Sequence, residues 1–233
     1  MTDQTLFEPP QPTRLSIRAD ERRFPVRRVY CVGRNYAAHA REMGHDPDRE
    51  PPFFFQKNPD DLNESGVFPY PTGSSDVHFE IELVAALGPS LAGHEGPIAA
   101  EAALGHVWGY GVGLDMTRRD LQGVAKKAGR PWEIGKAFAA SAPISALAPA
   151  FETGHPERGA ITLDVNGSRR QDGDLSEQIW SLPEIIEHLS ALFTLAPGDL
   201  IFTGTPAGVG PVSRGDRLFG AVEGVGELSV EVV

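Results

Sequence analysis

The 233-residue chain contains a single cysteine, Cys31, so no disulfide can form within it, and a reducing compartment is the expectation. That thiol lies in the apolar run VYCVG and reads as a small buried hydrophobe. No run of about 18 apolar residues occurs, which excludes a membrane-spanning helix. The opening MTDQTLFEPPQP has neither a basic n-region nor an apolar h-region, so a cytoplasmic protein is expected. Positive charge is scarce: 21 Lys and Arg stand against 32 Asp and Glu, a net charge of −11. Nucleic acid and anionic membrane surfaces would be repelled, and neither is expected as a partner. Repeats and low-complexity tracts are also missing. What the chain does have is turn chemistry, with 26 glycines and 20 prolines, on a globular composition of 40% hydrophobic and 23% charged residues. One large domain over residues 26–233, preceded by a lead-in and hairpin segment over 1–25, fits this length.

Periodicity predicts a β-rich α+β fold with a few short helices. TRLSIRA and FPVRRVYCVG read as a strand pair with ADERR as its turn, and NYAAHAREMG as a short helix over 35–43 ending at Gly44. Residues 45–76 read as loops around one buried strand at Phe53–Lys57. VHFEIEL continues as a strand into VAALG, AAEAALGHVW reads as a helix, and GYGVGLDM as a buried strand ending in Asp115. Thr117 with Asp120 resembles a capping box opening a helix to Gly129. ITLDVNGSRRQDG predicts a tight hairpin at Asn166-Gly167. In SLPEIIEHLSALFTL, Ser181 and Glu184 form a cap, and Ile185, Ile186, Leu189, Leu192 and Phe193 form one apolar stripe. The tail returns to strands.

Chemistry enters at VHFEIEL. Glu80 and Glu82 are two apart on a strand, so the pleat sends both carboxylates to one face, shared by His78. Adjacent acids repel, and a divalent cation between them resolves the repulsion. A lone pair of this kind is more often a solvated strand face. Asp115, at the end of an apolar strand, is costly to bury unless paired or metal-bound, and it joins the two glutamates. An all-oxygen set suits Mg²⁺ or Mn²⁺, with Ca²⁺ a third choice; zinc is disfavoured, and His78 becomes a supporting residue. His39 and Glu42, three apart on the first helix, are a candidate acid–base pair, against the alternative of a surface contact. Arg119, Gln122 and Lys136 are candidate binders of an acidic substrate, against ordinary surface residues. The loop TGTPAGVG offers backbone N–H groups and threonine hydroxyls to a carboxylate. GYGVGLDM lacks the third glycine of a dinucleotide fingerprint. His45, His94, His106, His155 and His188 have no evident partner and read as structural.

VGRNYAAHAREMG, HFEIEL, GYGVGLDMTRRDLQ, GRPWEIGKAF, NGSRRQDG and TGTPAGVGP, in this order and spacing, resemble the fumarylacetoacetate hydrolase family in its short form. The resemblance runs from about Val29 to the end of the chain and is specific for the family, less so for the substrate. It implies a mixed β-sandwich roll, a homodimer, and Mg²⁺ or Mn²⁺ on Glu80, Glu82 and Asp115. It further implies that His39 and Glu42 sit on a lid. Arg34, Arg119 and Thr205 would contact a dicarboxylate or 2-oxo acid substrate, and Lys136 and Gln122 would stabilise charge in the reaction. The activity expected is hydrolysis of a carbon–carbon bond in a 2,4-dioxo acid, with fumarylpyruvate giving fumarate and pyruvate in aromatic-acid breakdown. Oxaloacetate decarboxylation and 2-hydroxy-dienedioate isomerisation are rivals that need the same apparatus, and a non-catalytic small-acid-binding protein is a third reading.

Overall fold

The computed structural model describes residues 5–8, 10–42 and 50–233. Strand Ile81–Leu87, buried at every position, lies inside a six-stranded sheet. It pairs antiparallel with Val107–Leu114 on one side and Asp199–Phe202 on the other. Arg28–Gly33 runs parallel to the latter and carries Phe53–Lys57 on its outer edge; Ala148–Pro149 closes the opposite edge. A five-stranded sheet is built from Ser168–Asp174, Ala160–Val165, Arg217–Val222, Gly226–Val232 and Val67–Phe68, in that order. Between the sheets Leu83, Leu87 and Val112 meet Ile161, Leu163 and Leu218, and Ile185 and Leu189 of helix Leu182–Leu192 join the same core. The other face of the larger sheet is covered too, where Cys31, Val84 and Phe202 pack on Leu15 and Phe24 of the N-terminal hairpin. Cover on both faces explains why these strands read as unbroken apolar runs rather than alternating ones. The fold is mainly β in the α+β class, as expected, and among the described residues no helix is long and apolar enough to cross a membrane.

Several local readings change. The hairpin pairs Arg14–Ile17 with Asp20–Pro25, so most of ADERR is strand and the turn is Arg18-Ala19, where Ala19 takes φ 55. VYCVG belongs to the large sheet instead. AAEAALGHVW yields one turn of helix, Ala100–Ala103, then a 3₁₀ turn, and Val107 already begins the next strand. Thr117 caps nothing: it pairs with His78 in a small sheet, and Asp120 accepts from the Ser74 hydroxyl and the Ser75 N–H. Helix Arg119–Lys127 follows directly. Leu192 is exposed and Phe193 lies just past the helix end against Tyr30, so the buried stripe is Leu182, Ile185, Ile186 and Leu189. The Asn166-Gly167 turn is as read, with φ of 53° and 76° joining two antiparallel strands. The first helix spans Ala37–Glu42; its expected end at Gly44, and His45, lie outside the described residues.

Candidate active site

The strand carrying the glutamates is broken where it matters. Val77–Phe79 pairs with Thr117–Arg118 and Gly210–Pro211, whereas Ile81 starts the large sheet, and Glu80 is the joint between them. Two hydrogen bonds hold that joint: the Asp115 N–H donates to the Glu80 carbonyl (2.8 Å), and the Ile81 N–H donates to Oε1 of Gln171 (3.0 Å). Glu80, Glu82 and Asp115 are all buried, Asp115 completely, and one oxygen from each lies within 4.8 Å of the others.

Cations surround two of the three acids. Lys136 Nζ donates to Glu80 Oε2 (2.8 Å), Asp115 Oδ2 (2.5 Å) and Thr117 Oγ1 (2.8 Å), which commits all three of its protons. Arg119 donates to Glu80 Oε1 (2.5 Å) and to Gln122 Oε1 (2.6 Å), leaving the Gln122 NH₂ as a donor to the pocket. Lys57 Nζ stands 2.9 Å from Asp115 Oδ1 and donates to Ser141 Oγ (3.0 Å) and to the carbonyls of Met116 and Lys136. Among the described residues Glu82 has no such partner and accepts the Gly204 N–H alone (2.7 Å).

The electrostatics follow from this asymmetry. Burial pushes the Glu80 carboxyl up, but the charges of Lys136 and Arg119 outweigh it and hold the group below the ordinary range. Burial pushes Glu82 well above the ordinary range, and the neighbouring Asp115 and Glu80 push it further. Burial lowers Lys136, yet Asp115 and Glu80 leave it raised overall. The three acids therefore share a cradle in which one of them lacks a countercharge and Asp115 Oδ1 lacks a well-directed donor. An all-oxygen set with an uncompensated member fits a hard divalent cation.

The entry to the first helix is pinned by Asn35. Its Nδ2 donates to the carbonyls of Thr203 (2.8 Å) and Trp180 (2.9 Å), and its Oδ1 accepts the Trp180 N–H (2.8 Å). Gly204, at φ +98° with Asn35 only 2.7 Å from where a Cβ would stand, is required at this contact. The helix so placed carries His39, whose Nδ1 is 3.3 Å from Glu42 Oε2, and Glu42 accepts the Gly208 N–H of the TGTPAGVG loop (3.2 Å). A proton on Nδ1 directed at Glu42 leaves Nε2 as the basic atom. Thr205 Oγ1 accepts from Gln171 Nε2 (2.8 Å).

The three acids, His39, Gln122 and Lys136 line one pocket, together with Arg34, Arg119 and Thr205. Glu42 lies behind His39. Phe55, Trp132 and Lys126 line the pocket as well, and sequence reasoning passed over all three. It also passed over Lys57 and Gln171. For Lys57 the signal was there: Phe53, Phe55 and Lys57 alternate on one face of a strand, so the lysine had to point where the phenylalanines point. Gln171 offered none, sitting in the polar stretch SRRQDG. His78 turns away from the acids to Asp76 Oδ1 (2.8 Å), the strand break having separated it from them. The other described histidines have partners outside the pocket: His155 Nδ1 bonds the Tyr110 hydroxyl (2.7 Å), His188 packs edge-on to Trp180, and His94 and His106 lie ring to ring.

A buried carboxylate cradle and a histidine–glutamate pair facing one pocket on a mixed β frame define a candidate hydrolytic metal site. The profile described as fumarylacetoacetate (FAA) hydrolase C-terminal matches residues 28–233. A fumarylpyruvate hydrolase from Ralstonia sp is 44% identical over 194 residues, 82% of this chain and 98% of that one. An oxaloacetate tautomerase from Escherichia coli (strain K12) is 43% identical over 198 residues, 84% of this chain and 88% of the relative. Among solved structures, the fumarylpyruvate hydrolase from Pseudomonas aeruginosa in complex with Mn²⁺ and pyruvate superposes with a TM-score of 0.92 at 55% identity, over 99% of both chains. The chain belongs to the fumarylacetoacetate hydrolase family.

Proposed function

We propose that this protein hydrolyses a carbon–carbon bond of an acylpyruvate with the help of a divalent metal, and that fumarylpyruvate, cleaved to fumarate and pyruvate, is its substrate. The observation that carries the reading is the convergence of Glu80, Glu82 and Asp115 with His39 in one pocket. Support comes from the likeness to proteins named fumarylpyruvate hydrolase, one of them solved with Mn²⁺ and pyruvate. Glu80, Glu82 and Asp115 would hold Mg²⁺ or Mn²⁺. Such an ion supplies Lewis-acid stabilisation of negative charge on the 2-oxo acid end of the substrate.

The rest falls to the chain's own side chains. His39, held by Glu42, takes a proton from water at Nε2 as that water adds to the C4 carbonyl. The Gln122 NH₂ donates to the oxygen that gains charge there. Cleavage of C3–C4 then releases fumarate, its new carboxyl proton passing to solvent, and the three-carbon fragment takes the proton back from the His39 imidazolium to leave as pyruvate. One water is consumed and no other reagent is needed. Lys136 orders the acids and stabilises the oxyanion only if a bound cation takes over one of its carboxylate acceptors, because its three protons are committed. In the cradle three acids face Lys57, Lys136 and Arg119; a divalent ion held by all three acids in ionised form would leave the site net positive and draw a dianion into a protein of net charge −11. A homodimer and a cytoplasmic location belong to the same proposal and rest on the sequence reading.

The second reading is oxaloacetate tautomerisation, favoured by the 43% identical relative of that name and absent from the sequence expectations, which considered decarboxylation. Both begin from the same 2-oxo acid grip. Purified protein with Mn²⁺ separates them: pyruvate and fumarate appearing from fumarylpyruvate supports the hydrolase, whereas keto–enol exchange of oxaloacetate with fumarylpyruvate left intact overturns it.

A further inference from the structure

Arg119, Gln122 and Lys126 occupy positions i, i+3 and i+7 of helix Arg119–Lys127, so they lie along one face, and all three line the pocket. Arg119 is at the floor, bonded to Glu80; Lys126 is two turns on, a rise of roughly 10 Å along the helix. Arg34 lines the same pocket, with its guanidinium 5.1 Å over the ring of Phe53. Phe53 meets Trp132 edge-on at 5.1 Å, and Trp132 packs against Phe55 at 5.9 Å. Phe55 and Trp132, tilted 52° to one another, thus give the pocket an apolar aromatic side. An adjoining opening is lined by Arg34, Phe53, Phe55, Arg130, Trp132 and Glu133.

We propose that Lys126 and Arg34 form a second anion subsite at the pocket mouth, which receives the distal carboxylate of an extended, trans-configured dianion lying along Trp132 and Phe55. The inference rests on the acylpyruvate reading and names the residues that select within that class. Length decides it: six carbon–carbon bonds of about 1.5 Å each, foreshortened by the zigzag, carry a seven-carbon diacid about 8 Å from end to end. A chain gripped at the floor therefore reaches Lys126 only when extended, and a cis double bond folds it short. Charge agrees. Burial lowers the Lys126 ammonium, and the facing charges of Arg34 and Arg119 lower it further; burial likewise lowers Arg34, with Glu50 partly offsetting. Arg34 and Lys126 thus present positive charge to one another across the pocket they both line, and a carboxylate placed between them is attracted by both.

The test is steady-state kinetics of the Mn²⁺-loaded protein on fumarylpyruvate, on its cis isomer maleylpyruvate and on acetylpyruvate, which has no distal carboxylate. For Lys126→Met the ratio of kcat/KM for fumarylpyruvate to that for acetylpyruvate falls roughly ten- to hundredfold, as loss of a charge-assisted hydrogen bond requires. The trans-over-cis preference shrinks with it. Lys127→Met, at the exposed neighbouring position, leaves both ratios as in the wild type. An unchanged ratio in Lys126→Met overturns the subsite. Should the wild type cleave none of the three, the hydrolase reading falls, and calorimetric titration with fumarylpyruvate decides the subsite separately: weaker binding to Lys126→Met supports it, equal binding overturns it.

Discussion

Glu80 and Glu82 sit in the same cradle, yet replacing each by glutamine should have very unequal effects on the metal-free protein. Glu80 is ionised and bonded to Arg119 at 2.5 Å and to Lys136 at 2.8 Å. Glu80→Gln removes a buried charge and leaves two cations short of a partner, a loss of about 3–5 kcal/mol. For a domain of this size that lowers Tm by roughly 6–20 °C. Burial and its two acidic neighbours push the Glu82 carboxyl up, towards its protonated form, and its hydrogen bond among the described residues is from the Gly204 N–H at 2.7 Å. Glutamine reproduces the protonated acid in shape and keeps that acceptor, so Glu82→Gln should change Tm by less than about 3 °C, under 1 kcal/mol. Both variants should lose the metal response. In the wild type, free Mn²⁺ at a hundred times its Kd stabilises by about 2.7 kcal/mol, or roughly 5–11 °C. The assay is thermal denaturation of the three proteins in chelator and in Mn²⁺. A Glu82→Gln protein that falls in chelator as far as Glu80→Gln would show Glu82 to be ionised without metal. A Glu82→Gln protein that keeps the full Mn²⁺ shift would remove the acid triad as the metal site.

The same asymmetry sets a pH dependence. Glu82 is raised in the fold, so its contribution to stability is complete below the ordinary carboxylate pKa of about 4.3 and is lost as pH rises through the raised value. Chemical denaturation in chelator should accordingly show wild-type stability falling with pH relative to Glu82→Gln, and parallel curves for the two would contradict the assignment. For Glu80, depressed in the fold, the contribution is present above about 4.3 and disappears only as pH falls through the lowered value, so acid unfolding of Glu80→Gln should begin from a lower plateau without that step. His39→Asn should reduce kcat on fumarylpyruvate by about 10²–10⁴-fold while leaving the Mn²⁺ shift in Tm intact, since the imidazole acts on water and not on the acids. A kcat within a factor of a few of the wild type would assign the base elsewhere.

How much of this was legible in the chain varies from residue to residue. The hairpin turn at Asn166-Gly167 was readable because left-handed backbone at two successive positions is a local demand that those residues meet. The helix cap at Ser181 and Glu184 was readable for the same kind of reason: Glu184 Oε2 accepts both the Ser181 N–H (3.0 Å) and its hydroxyl (2.8 Å). Thr117 and Asp120 carry a similar spacing and do something else, because a strand partner and the Ser74 loop compete for them, and neither is visible from the helix itself. Leu192 fits the helical stripe by period, but it is 66% exposed, left uncovered by the described residues.

At the opening strand, sequence alone determined that three oxygen-bearing acids and a histidine–glutamate pair had to be accounted for, since residue type and short spacing are properties of the chain. That reasoning assumed one unbroken strand and a shared face for His78. Tertiary structure decided that the strand breaks at Glu80, that Gln171 from the second sheet holds the break, and that Lys57 and Lys136 arrive from elsewhere in the chain to neutralise Glu80 and Asp115 but not Glu82. Charge balance in a buried cradle depends on distances between segments far apart in sequence, and those distances exist only once the sheets have packed.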